Sequence, residues 1–167
     1  IAANDHDITQ FARDTYSYMW PRDGALVAYA LTKAGHRDIT QRFFGFCADV
    51  IKDEGYLMHK YNPDKSVASS WHPWLRDGKP ALPIQEDETA LVLWSLWHHF
   101  RKFRNIEFVR TLVDKLVFKA ADFLVSYRDA ETKLPNPSYD LWEERWGVHL
   151  FTVSSVIAGL NAAANFA

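Results

Sequence analysis

The stretch Ser138-Tyr139-Asp140-Leu141-Trp142-Glu143-Glu144-Arg145-Trp146-Gly147 sets two adjacent carboxylates between two tryptophans, in a segment that reads as loop. Aromatic faces suit a pyranose ring. A carboxyl group in an apolar wall stays protonated near neutral pH. Cleaving a glycosidic bond needs such an acid for the leaving oxygen, and a second carboxylate as base or nucleophile. Glu143 and Glu144 are expected to raise each other's pKa, with Trp142 and Trp146 desolvating both. The alternative is a glutamate pair held in salt bridges with Arg145 and its neighbours.

Two further segments carry candidate chemistry. In Tyr16-Ser17-Tyr18-Met19-Trp20-Pro21-Arg22-Asp23, Arg22 and Asp23 can each hold vicinal hydroxyls through paired hydrogen bonds, with Tyr16 and Trp20 on a ring face. The other reading is a helix start, with Pro21 in the first turn and Arg22 in a structural ion pair. Gln85-Glu86-Asp87-Glu88 precedes an apolar helix, where acidic residues are ordinary. Trp71 and Trp74, earlier in the same loop, add interest to it.

Helices must position these loops. A first is expected over Ala25 to Ala34, closed near Gly35. Asp38 can cap a second, carrying Ile39, Phe43, Phe46, Cys47, Val50 and Ile51 at helical spacing. Tyr56 to Tyr61 reads as one arm of a small hairpin, and a proline-rich loop runs from Asn62 to Pro83. A third helix, Asp87 to Arg104, is apolar on nearly all sides in its first half and so enclosed. A fourth runs amphipathically from Glu107 to Arg128, and a fifth from Thr152. Consecutive antiparallel helices place the N-termini of the first, third and fifth at one end. The three chemically loaded segments precede these helices.

Composition narrows the classes. The chain has 167 residues, 48% apolar and 15% aromatic, enough for one globular domain with a real core. The net charge of −2 comes with scattered lysine and arginine, so no basic stripe for nucleic acid or membrane is present. Neither a spanning segment nor a signal peptide is visible, and the reading leans to the cytoplasm. The single Cys47 reads as core. His98 and His99 are adjacent and cannot form a metal pair on one helix face, and His36, His59, His72 and His149 lack ligand spacing. No phosphate loop, dinucleotide fingerprint or nucleophile elbow occurs. No metal or cofactor is expected.

Taken together, Tyr-x-Tyr-x-Trp-x-Arg-Asp, then Gln-x-Asp before an apolar helix, then Tyr-Asp-Leu-Trp-Glu-Glu resemble glycoside hydrolase family 15 over essentially the whole chain. That family contains glucoamylases, glucodextranases and some microbial trehalases. Trp20-Pro21-Arg22-Asp23-Gly24 looks like its bacterial and archaeal branch. The resemblance implies an all-α fold, part of an (α/α)6 toroid of alternating inner and outer helices, with about five helices here. It implies an inverting, exo-acting α-glucoside hydrolase with Glu143 as general acid and Glu144 and Trp142 beside the sugar. Arg22, Asp23, Tyr16 and Trp20 would bind the terminal glucose, and Gln85 and Asp87 would add polar contacts. The general base is expected beyond Ala167, so residues 1–167 read as a single domain, a fragment of a larger catalytic one. The exposed flanks of a half-toroid are expected to drive self-association. The alternative is a non-catalytic carbohydrate-binding or regulatory domain of the same fold.

Overall fold

The computed structural model describes residues 17–70 and 72–167, so Tyr16 and Trp71 lie outside it. Helix α1 spans Pro21–Ala34 and starts earlier than expected, because Pro21 sits at its first position with Asp23 in the first turn. Gly35 ends it at φ 92, where its amide and that of His36 satisfy the last carbonyls. The turn is so tight that α2 (Arg37–Val50) begins at once. Asp38 therefore lies inside its first turn rather than capping it. The buried face of α2 is Thr40, Phe44, Cys47 and Val50, which confirms Cys47 as core and leaves Ile39 exposed.

Helix α3 (Glu86–Phe103) is enclosed over its first half, as its apolar composition required. It packs mainly against α1 and α6 (Leu150–Ala164). Glycines set two close approaches, of α1 to α2 and of α6 to α3. A Cβ on Gly24 would meet the Phe43 ring at 2.3 Å, and one on Gly159 would meet the Ala90 carbonyl oxygen at 2.6 Å. The single helix expected over Glu107 to Arg128 is in fact three pieces. These are α4 (Ile106–Arg110), a π-helical turn (Val113–Phe118) and α5 (Lys119–Ser126). The apolar stripe survives, since Val109, Leu112, Leu116, Val117, Ala120, Phe123 and Leu124 are all buried. A widened turn, with Val117 N–H donating to Leu112 O, alters the winding without disturbing that stripe.

Two short hairpins stand where the sequence read only loop. Leu75–Arg76 (β1) pairs with Lys79–Pro80 (β2), and Ser138–Tyr139 (β3) pairs with Trp146–Gly147 (β4). The hairpin arm expected over Tyr56 to Tyr61 pairs only at its end, where Asn62 N–H donates to Ser66 O and Ala68 N–H donates to Lys60 O. All six of its residues are buried, joined to neighbours by isolated bridges from Tyr61 to Met19 and Val67. Leu57 N–H donates to Thr89 Oγ1 at 2.9 Å, so this run threads against α3.

The N-termini of α1, α3 and α6 do meet. Arg22 of α1 pairs with Asp87 of α3, and Asp87 accepts from Thr152 of α6. Leu26 and Val27 on α1, and Leu150, Phe151 and Ile157 on α6, remain exposed. Among the described residues, no helix is long and apolar enough to cross a membrane.

Candidate active site

Arg22 is the hub of the site. Its Nη1 lies 2.8 Å from both Gln85 Oε1 and Asp87 Oδ2, and 2.9 Å from Glu88 Oε1. Its Nη2 donates to the Leu141 carbonyl at 3.2 Å, and its backbone N–H donates to the Glu88 carboxylate. One guanidinium thus joins α1, α3 and the β3–β4 hairpin. Burial acts to lower the Arg22 pKa, but Glu88 and Asp87 reverse that and keep the group charged. Gln85 and Asp87, expected near the sugar, are buried and hold Arg22. Asp87 uses one oxygen for Arg22 and the other for Thr152 Oγ1 at 3.2 Å. The ion-pair alternative for Arg22 is therefore what the structure contains. Asp23 faces outward with its side chain 54% exposed, and lies 3.9 Å from Arg22 Nε.

The two glutamates part company. Glu143 is 9% exposed, whereas Glu144 lies at the surface. The cause is local. Asp140 Oδ1 accepts the amides of Glu144 and Arg145, Glu143 N–H donates to Asp140 O, and Glu143 takes a left-handed backbone at φ 58. A non-glycine residue there costs on the order of 1–2 kcal/mol. Burial works upward on the Asp140 carboxyl, but the amides of Glu144, Arg145 and Trp142 outweigh it and hold the group low. The glutamates, expected side by side and desolvated by Trp142 and Trp146, differ in burial. The turn sends the two carboxylates different ways, and Trp142 is 76% exposed. Trp146 lies under the Arg76 guanidinium at 3.4 Å.

Glu143 is instead enclosed by residues that sequence reasoning passed over. His59 Nε2 lies 3.9 Å from its Oε1, and His72 Nε2 lies 2.6 Å from its carbonyl oxygen. Burial, then Lys60 and Arg22, push His59 down to about 4, so it is neutral near pH 7. Lys60 is 1% exposed, with its ammonium 4.6 Å over the Tyr18 ring and 5.8 Å over that of Trp20. Burial lowers its pKa while Glu143 raises it. The carboxyl of Glu143 and the cation of Lys60 are thus enclosed, while Trp142, next to Glu143 in the chain, exposes its ring to solvent. The only signal for His59 and Lys60 was the aromatic company of Tyr56 and Tyr61, which reads equally as core. Among the described residues, no cluster of His, Cys, Asp and Glu could hold a metal ion.

Two glutamates beside the hub give a pH signature. Burial, then Asp87, push Glu86 up to about 8, and burial, opposed by Arg22, pushes Glu88 to about 8. A glutamate in the unfolded chain titrates near 4.3, so the folded state binds more protons between about 4.3 and about 8. Stability from these groups is full below that window and is lost as pH rises through it. Below about pH 6.5 the neutral His59 and His99, both held down at about 4, act in the opposite sense, so the melting temperature should fall from pH 7 to pH 9, and Glu86→Gln should flatten part of the fall. Equal slopes for wild type and variant in a thermal-melt series would refute this.

Comparison with known proteins adds a family. The model described as glycosyl hydrolases family 15 matches residues 1–167. An uncharacterized glycosyl hydrolase of Methanocaldococcus jannaschii is 33% identical over 149 residues, covering 89% of this chain and 21% of that protein. Glucoamylase 1 of Rhizopus oryzae is 27% identical, covering 91% of this chain and 26% of its own length. A glucoamylase of a Clostridium species is 30% identical, covering 91% and 18%. The chain thus spans only 18 to 26% of the relatives it matches. No solved structure was found to match it.

Proposed function

Because the chain belongs to glycosyl hydrolase family 15, we propose that it is the acid-bearing part of an inverting, exo-acting α-glucoside hydrolase. Its substrate is the non-reducing end of an α-glucan or related oligosaccharide. The observation that carries this reading is the separation of the glutamate pair, with Glu143 turned inward and Glu144 and Trp142 at the surface. Glu143 gives its proton to the glycosidic oxygen as the bond to the anomeric carbon breaks. Water adds to the opposite face and loses a proton to a base. That base belongs to a segment outside residues 1–167, within a larger toroid of which these helices are one part.

Asp23 and Trp142 supply the sugar contacts open to solvent, and Trp20 contributes a ring; the sugar-binding role expected of Tyr16 falls outside the described residues. Glu144, on the outer side of the turn, meets hydroxyls beyond the cleaved bond. Gln85 and Asp87 act through Arg22, which they orient. The two relatives named glucoamylase favour glucose as the released unit.

Anomer-resolved proton NMR on the intact protein with maltotriose, isomaltotriose and trehalose tests the reading. The expected first product is β-glucose. Release of α-glucose as the first glucose from maltotriose or isomaltotriose would exclude inversion, whereas trehalose under inversion yields one α- and one β-glucose. Saturable sugar binding without turnover would assign a binding domain instead.

A further inference from the structure

His72 precedes β1 and stacks face to face on Tyr139, with ring centroids 3.8 Å and planes 6° apart. Tyr139 meets Trp146 edge to face at 5.1 Å, and Arg76 lies over the far side of this group on the Trp146 ring. Four side chains from two hairpins therefore form one layered column. At its end, His72 Nε2 is 2.6 Å from the Glu143 carbonyl oxygen. A carbonyl only accepts, so Nε2 carries the proton and donates it. The bond lands on a residue whose left-handed backbone a non-glycine side chain leaves unless held.

We propose that His72, backed by Tyr139, Trp146 and Arg76, is a positioning residue that fixes the direction in which Glu143 presents its carboxyl group. It touches the main chain of Glu143 and takes no proton from the reaction. The proposal rests on the reading of Glu143 as general acid. A column that merely joined two loops would hold them together without regard to proton delivery. The two roles separate by leaving group. A glycosidic oxygen needs a proton as it departs, whereas fluoride leaves α-glucosyl fluoride with little help.

The test compares maltose with α-glucosyl fluoride on the intact protein, for wild type, His72→Ala, His72→Gln and Glu143→Gln, each checked for an unchanged fold by circular dichroism. His72→Ala should lower kcat on maltose by roughly 10- to 100-fold and on the fluoride by less than about 3-fold, with KM for maltose nearly constant. His72→Gln, which keeps a donor, should regain part of the maltose rate. Glu143→Gln should show the same split more strongly. If Glu143→Gln splits the two substrates but His72→Ala lowers both equally, or neither, the positioning role is overturned. If Glu143→Gln itself shows no split, the acid assignment fails and the proposal falls with it.

Discussion

Glu143→Gln is expected to lose about 10²- to 10⁴-fold in kcat on an α-glucan while binding sugar within a few-fold of wild type. The carboxamide keeps the volume of the side chain and its place beside His59, but has no acidic proton to give. The surroundings argue that the fold survives. The turn that aims Glu143 is built by the Asp140 carboxylate and main-chain amides, none of which the substitution touches. Binding can be followed through tryptophan fluorescence, since Trp142 stands exposed next to Glu143. Turnover retained within about fivefold, far inside the usual range for losing an acid, would remove Glu143 from the mechanism.

Arg22→Ala is expected to destabilise the protein by about 3–5 kcal/mol, the usual cost of stripping one partner from a buried charge cluster. Asp87 and Glu88 would be left enclosed without their cation, and Gln85 without its donor partner. The bond from Nη2 to the Leu141 carbonyl would also go, loosening the hairpin that carries Glu143. Activity should therefore fall along with stability. Arg22→Lys should recover only part of either, because an ammonium cannot spread its donors over four acceptors on two other elements. Urea unfolding measures the first effect and maltotriose turnover the second. A loss below about 1 kcal/mol, the scale of an exposed ion pair, would show that Arg22 is not the junction of the three elements.

Helices α1, α3 and α6, and the buried stripe of α4 to α5, were legible in the sequence because apolar spacing along a helix is local information. The break at Val113–Phe118 was not, since a single widened turn leaves that spacing nearly intact. The burial of Tyr56 to Tyr61 was not either. His59 and Lys60 gain their enclosure from α3 and from Tyr18 and Trp20, residues far away in the chain.

The candidate site divides the same way. The residue types, two glutamates beside tryptophan and an Arg-Asp pair ahead of a helix, by themselves determined the class of chemistry and the family. They left open which glutamate turns inward and whether Gln85 and Asp87 face a sugar or Arg22. Only the tertiary structure decided these: the first turns on the local backbone that Asp140 holds, the second on contacts between segments more than sixty residues apart. Residue identity sets what a side chain can do as acid, donor or ring. Packing across the fold sets its burial and its neighbours, and these determine whether a charge is free for a ligand or already held by the protein.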